Sequence, residues 1–419
     1  PAGDKIKTSW GEQLKAERPH PEYPRPQLVR KDNWQNLNGL WNYAITEKAV
    51  ASIPSQWDGK ILVPFAVESA LSGVGKEVGK DKALWYKNTI SLAKNLQKSD
   101  LILHFGAVDW QCDVYVNGQH VGQHEGGFDP FSFDISGFVK KGDKQEIAIR
   151  VWDPTSDGPQ PRGKQINNPH GIWYTPVTGI WQTVWVEAVP KTYIKATKQT
   201  PNVDKSTLAF EATVEGALAG DILQVTAFDG ATKVSSQTAA VGSKIDLAIE
   251  NPVLWSPTTP KLYDLKVEVL RKGKVVDQAS SYFAMRKITM EKDAQGIQRL
   301  MLNNKFVFHY GPLDQGWWPD GLHTAPSDEA LKFDVLKTKE MGFNMIRKHI
   351  KVEPARWYYH CDSIGVLVWQ DMPSGDLGGN SWDMQPGKIS GNNHDKIRTA
   401  ESEAIYRKEW KAIMDALHN

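Results

Sequence analysis

Six residues in the last third of the chain have the types and spacing to do chemistry. Arg347 and His349 end one apolar run, and Trp369, Gln370 and Asp371 end the next, with Glu353 between them. A guanidinium and an imidazole donate to hydroxyls, a carboxylate accepts from them, and an indole offers a flat apolar face. Converging on one opening, they would make a subsite for a sugar, whose ring presents C–H groups on one face and hydroxyls at its rim. The competing reading is that Arg347 and Asp371 pair with each other and Trp369 fills a core. Glu353 is a candidate partner carboxylate for Asp371, but it directly precedes Pro354, where a first-turn carboxylate commonly serves the helix dipole.

The elements that must position these residues follow a βα rhythm. Ser327 is placed to cap a helix with Ala330, Phe333 and Leu336 on one face, ended by Gly342. A strand over Phe343 to His349 comes next. Pro354 opens a second helix, with Trp357 and Cys361 four apart and Gly365 as its stop, and a second strand covers Val366 to Asp371. Strand, helix, Gly, strand at this spacing predicts parallel strands, whose carboxyl ends gather side chains at one mouth. A long Gly-rich loop follows, Met372 to Thr399, of the kind that carries function. The last helix places Tyr406, Trp410, Ile413, Met414 and Leu417 on one stripe. An eight-stranded barrel takes ~250 residues, so residues 286–419 are expected to supply only its first part.

Upstream the period is two. Leu101, Leu103 and Phe105 alternate, as do Cys112, Val114 and Val116, and then Ile147, Ile149 and Val151. Asn117-Gly118 between apolar strands signals a hairpin, because both turn residues need positive φ. These features predict a β-sandwich over residues 29–190, preceded by an extension over 1–28. Leu208, Phe210, Ala212 and Val214, with Ile245, Leu247 and Ile249 and with Leu265, Val267 and Val269, predict a second sandwich of immunoglobulin-like size over 191–285.

The 50 Lys plus Arg balance 49 Asp plus Glu for a net charge of +1, which gives no electrostatic case for nucleic acid or an anionic membrane. No apolar run reaches the ~20 residues of a membrane span. The two cysteines, Cys112 and Cys361, fall in different predicted domains and read as free thiols. His120 and His124 lie in the predicted hairpin without the companions of a metal site and read as surface histidines. No motif calls for a metal or cofactor. Asp109, Trp110, Glu125 and Asp129 could form a sugar-facing edge of the first sandwich, although Asp129-Pro130 reads more simply as a turn. The 17 Trp fit either sugar stacking or sandwich cores. The polar, Pro-dotted start at Pro1 resembles a processed terminus and suggests a periplasmic or secreted protein.

Several segments, in order, resemble glycoside hydrolase family 2, the β-galactosidase and β-glucuronidase family. They are NLNGLWNY from Asn36, LWYKNTI from Leu84, NGQHVGQHEGGFDPFSFDIS from Asn117, GIW at Gly171 and Gly179, and NPVLWSP from Asn251. GFNMIRKH from Gly342 and WYYHCDSIGVLVWQD from Trp357 complete the set. The resemblance implies a jelly-roll sugar-binding sandwich, an immunoglobulin-like sandwich and a (β/α)8 TIM barrel cut short. It also implies retaining exo-hydrolysis of a glycoside or oligosaccharide, of the β-galactosidase type. After the strand Arg the family usually carries Ser or Thr, His, Tyr and Pro, where this chain has Lys348, His349, Ile350 and Lys351. The family's acid/base is a Glu directly after Asn, and no Asn-Glu dipeptide occurs here. The expectation is therefore a glycosidase portion without its two catalytic carboxylates, inactive alone, with Arg347, His349, Trp369 and Asp371 as substrate contacts. A homo-oligomer or further polypeptide would cover the barrel half. The alternative is a non-catalytic carbohydrate-binding protein.

Overall fold

The computed structural model describes residues 5–375 and 399–418. The alternating segments form strands with their apolar side inward. A four-stranded sheet, in the order Trp34–Asn36, Val184–Val189, Asp100–Phe105, Phe131–Asp134, faces a six-stranded one that includes Lys82–Ser91, Lys144–Trp152 and Gln111–Val116. Leu101, Leu103, Cys112, Val114, Ile147 and Ile149 meet in one core between them. Each such side chain, fully buried, contributes about 1.5–3 kcal/mol. Asn117 and Gly118 take φ of 52° and 81°, the conformation of a two-residue hairpin turn.

The second unit pairs a three-stranded sheet, Tyr193–Asn202, Thr207–Glu215 and Ile245–Ala248, with a four-stranded one built on Ile222–Asp229 and Tyr263–Arg271. Phe210, Leu247, Val267 and Phe283 lie in its core. A small antiparallel sheet, Ile288–Lys292, Gln298–Leu302 and Lys305–Phe306, then follows where the sequence reading expected the βα units to begin.

Three parallel strands come next: Leu313–Asp314, Met345–Lys348 and Leu367–Gln370, side by side in that order. With helix α1 a single turn at Ser9–Glu12, the crossovers are α2 (Asp328–Glu340) and α3 (Ala355–Ile364). The Ser327 side chain accepts from Ala330 N, capping α2. Gly365 ends α3 at φ 89°, and a Cβ there would lie 2.6 Å from the Pro257 carbonyl oxygen, so glycine serves both the left-handed cap and the close approach of the second sandwich. Among the described residues the three strands form an open sheet and do not close into a barrel. The expected functional loop, Met372 to Thr399, falls largely on 376–398, outside the described residues.

Two helix faces differ from the periodicity reading. On α2 the buried residues are Ala330, Leu331, Val335 and Thr338, while Phe333 is 38% and Leu336 37% exposed. Phe333 instead meets the ring of Trp10, 5.0 Å away, which arrives from the N-terminal segment. On the last helix, α4 (Ala400–Ala416), Ser402, Glu409 and Ile413 are buried, whereas Trp410 and Met414 of the expected stripe are 46% and 58% exposed. The helix is turned by polar contacts: Ser402 Oγ donates to Pro159 O at 3.1 Å and Glu409 accepts from Trp110 at 2.8 Å.

The N-terminal segment is a strap across all three units. Thr8 N donates to Asp320 Oδ2 (2.8 Å), His20 bonds Ala325 O (2.7 Å), and Val29 exchanges backbone hydrogen bonds with Ser280. Of the tryptophans, Trp41, Trp85, Trp181, Trp255 and Trp357 are fully buried and belong to cores. Cys112 and Cys361 are free and buried.

Candidate functional site

Side chains alternate along a strand, and Arg347 lies opposite Trp369 in the parallel register. Arg347, His349, Trp369 and Asp371 therefore share one face of the sheet at its carboxyl ends. The structure joins three of them directly. Asp371 accepts from Arg347 Nε at 3.1 Å, from Arg347 Nη2 at 3.0 Å and from His349 Nδ1 at 2.8 Å. Burial would raise the pKa of Asp371, but the hydrogen bonds from Arg347 and His349 outweigh it and hold the carboxylate below its usual range. Trp369 goes elsewhere: its Nε1 donates to His309 Nδ1 at 2.8 Å, and the side chain stays 45% exposed. The arrangement is a fixed anion flanked by two donors, with an accessible indole on the neighbouring strand.

The opposite face of the same sheet holds an ionic cage that sequence reasoning missed. Lys348 is 1% exposed, donates to Asp314 at 2.7 Å and Glu353 at 2.9 Å, and lies over the Trp357 ring. Lys351 is equally buried and donates to the same Glu353 oxygen at 2.7 Å, as well as to the carbonyls of Gly316 and His323. Burial opposes the charge on Lys348, yet Glu353 and Asp314 more than offset it and raise its pKa. For Lys351, burial prevails and its pKa is lowered. Glu353 is thus paired with two lysines and 5% exposed, not placed against Asp371 as a second reacting carboxylate. The one sequence signal for it is the departure from the family pattern at Lys348 and Lys351, which by itself does not tell a buried pair from an exposed one.

Three of the four residues of the proposed sugar-facing edge of the first sandwich are internal, while Glu125 is partly exposed and accepts from Gln111 at 2.8 Å. Asp109, Trp110 and Asp129 are 1%, 5% and 6% exposed. Asp109 accepts from Gln165 at 2.8 Å, and burial together with the nearby Asp153 pushes its pKa well up. His120 is exposed and bonded to Asp113 at 3.0 Å, while His124 is half-buried and stacked on Phe131. A cavity of about 550 Å³ lies at the junction of the two sandwiches, α4 and the strap, lined by His20, Trp181, Tyr282 and Ile413 among others. None of Arg347, His349, Trp369 and Asp371 lines it, so it is separate from the constellation at the strand ends.

Known proteins share this organisation. The family model for the sugar binding domain of glycosyl hydrolases family 2 matches residues 35–186, and a second model, for glycosyl hydrolases family 2, matches residues 192–286. A provisionally named β-glucuronidase of Formosa agariphila is 29% identical over 367 residues, covering 83% of this chain and 42% of that protein. A β-galactosidase of Thermoanaerobacter pseudethanolicus is 24% identical over 319 residues, covering 71% of this chain and 40% of that protein. The chain thus spans about two fifths of the length of these relatives. The crystal structure of Ruminococcus gnavus β-glucuronidase superposes with a TM-score of 0.69 at 19% identity, covering 85% of this chain and 61% of that one, a likeness of fold.

Proposed function

Because this chain belongs to glycosyl hydrolase family 2, we propose that it is the substrate-orienting portion of a retaining β-glycosidase. In this reading the three parallel strands with α2 and α3 are the first part of a (β/α)8 barrel. The observation that carries it is Asp371, held ionised by Arg347 and His349 at the carboxyl ends of adjacent strands, where barrel enzymes place substrate contacts. Asp371 accepts from sugar hydroxyls, Arg347 and His349 orient it, and Trp369 supplies the apolar face.

Retaining hydrolysis needs two carboxylates ~5–5.5 Å apart, one as nucleophile and one as acid/base. Glu353 is neutralised by Lys348 and Lys351, and the sequence has no Asn-Glu. The 419-residue chain therefore binds and orients without turning over. The relatives bear the names of a provisionally assigned β-glucuronidase and of a β-galactosidase, so the galactoside-type reading is tested beside the glucuronide one.

Purified chain is assayed with nitrophenyl β-galactoside and β-glucuronide, and binding of the corresponding methyl glycosides is followed by saturation-transfer NMR. The expected result is no hydrolysis above background, with binding to at least one glycoside lost in Asp371→Ala and kept in the surface control Lys332→Ala. Turnover by the chain alone, or binding indifferent to Asp371, overturns the reading.

A further inference from the structure

Residues 154–178 connect two strands of the first sandwich, Lys144–Trp152 and Gly179–Ile180, yet much of this segment lies against the parallel sheet. It reaches the residues that follow each of the three parallel strands. After the first strand, Gln315 Oε1 accepts from Lys164 Nζ at 3.2 Å, and the Trp317 ring stacks on Tyr174 with centroids 4.2 Å apart. After the second, Gly163 packs so closely on Ile350 that a Cβ would sit 2.7 Å from its carbonyl oxygen. After the third, the backbone N–H groups of Arg162 and Gly163 both donate to Ser374 O at 2.8 Å. The segment therefore stands over the mouth where a barrel-type sheet meets its ligand.

It is also held in shape. Tyr174 N donates to Lys164 O at 2.8 Å and Ile166 N to Tyr174 O at 3.0 Å, which fixes Lys164 beside Tyr174. Gln165 anchors the segment inward, donating to Asp109 and accepting from Val177 N. Tyr174 and Trp317 are only half-buried, so part of the aromatic pair remains open to a ligand. Lys164 Nζ lies 5.8 Å from the Tyr174 ring, and among the described residues no carboxylate forms an ion pair with it. Nearly every other cation close to the strand ends has an acidic partner: Arg347 has Asp371, and Lys348 and Lys351 have Glu353.

We infer that Lys164, Tyr174 and Trp317 form a second sugar subsite at this mouth, built for a pyranoside carrying a carboxylate. The sugar ring lies against the open part of the aromatic pair, as pyranose C–H faces do on π-surfaces. Its carboxylate then meets the Lys164 ammonium, which among the described residues has a neutral amide and the Tyr174 ring, but no carboxylate, as partners. The inference rests on the glycosidase reading above, but its cation and one of its rings, Lys164 and Tyr174, come from the first sandwich and not from the sheet that carries Asp371, so the two fail separately.

The test titrates the full chain with methyl β-D-glucuronide and methyl β-D-glucoside, which differ in the carboxylate, at low ionic strength. The wild type is expected to prefer the glucuronide by about tenfold, the size of one charge-assisted hydrogen bond at a partly exposed site. Lys164→Met should erase that preference while leaving the glucoside unchanged, and Lys164→Arg should retain it. Tyr174→Ala should weaken both ligands, with unaltered circular dichroism showing that the fold survives. Equal binding of the two glycosides by the wild type, or an undiminished preference in Lys164→Met, overturns the inference. If Asp371→Ala abolishes binding while Lys164→Met changes nothing, the glycosidase reading stands and this one falls. No binding of either glycoside rejects this inference, and the glycosidase reading falls with it only if the methyl β-galactoside is not bound either.

Discussion

Trp110 Nε1 donates to Glu409 Oε1 at 2.8 Å, a bond between residues 299 positions apart that fastens α4 to the first sandwich. The other carboxylate oxygen, Oε2, is buried, and among the described residues it has no partner at hydrogen-bond geometry. Burial is the main reason that the pKa of Glu409 is pushed up to about 8, with Asp129 adding to it.

The docking of α4 should therefore depend on pH. Between the ordinary Glu value of 4.5 and about 8, the folded chain keeps a proton that the unfolded chain releases. Stability from this group is full below that window, falls as pH rises through it by up to about 1.4 kcal/mol per unit, and is level above it. Glu409→Gln keeps the acceptor for Trp110 and stays neutral throughout. Hydrogen exchange of residues 400–416, corrected for intrinsic rates, should match the wild type at pH 5 and show greater protection in the variant at pH 9. Parallel profiles across that range would show that Glu409 does not govern docking.

Removing the carboxylate from the lysine cage should be costly. Glu353→Gln leaves Lys348 with Asp314 alone and Lys351 with only carbonyl acceptors. Breaking a buried ion pair from one side costs about 3–5 kcal/mol, so the urea midpoint should fall sharply while secondary structure in the two sandwiches persists at low denaturant. An unchanged midpoint would mean that the cage carries no stability and that Glu353 is retained for another reason.

Arg30 should be the most sensitive residue between the sandwiches. Its guanidinium, 3% exposed, bonds Asp277 at 3.2 and 2.6 Å, Glu187 at 2.9 Å and the Ile194 carbonyl at 2.7 Å. A lysine retains the charge but not the fork that meets two carboxylates and a carbonyl together. Arg30→Ala should lower stability by about 3–5 kcal/mol and Arg30→Lys by a smaller amount, read by calorimetry. Equal losses would assign the effect to the guanidinium fork and none of it to charge, and no loss in Arg30→Lys would assign it to charge alone.

Gly163 offers a local test of how the segment 154–178 seats on the sheet. It has φ of +65° and faces the Ile350 carbonyl, so a methyl group there meets both backbone strain and a clash. Gly163→Ala should raise hydrogen exchange around Lys164 and Tyr174 while the sandwich core, Ile147 and Ile149 included, stays protected. A uniform loss across the sandwich, or no change, would contradict that seating.

Some of this molecule was legible in the sequence because local geometry leaves a local trace. Alternation at Leu101, Leu103 and Phe105 marks a one-sided strand, Asn117-Gly118 marks positive φ, and Ser327 and Gly365 mark where α2 starts and α3 stops. The order of Arg347, His349, Trp369 and Asp371 at two strand ends was equally readable, since parallel strands separated by a helix gather such ends on one side. The partners of those residues were not. That Asp371 takes Arg347 and His349 while Trp369 takes His309 depends on side-chain geometry 22 to 60 positions apart in sequence. Tertiary packing also shifted two helix faces: Ala330 and Ile413 are buried as the periodicity expects, but Phe333 stays partly exposed against Trp10 from the far end of the chain, and the buried hydrogen bonds of Ser402 and Glu409 leave Trp410 and Met414 outward. Periodicity reports which side of a helix is apolar, but the side that is buried is set by whichever neighbour satisfies its polar groups as well. The lysine cage and the segment over the strand ends belong to the same class, for burying a charge is tolerable only where a counter-charge has already been brought to it by the fold.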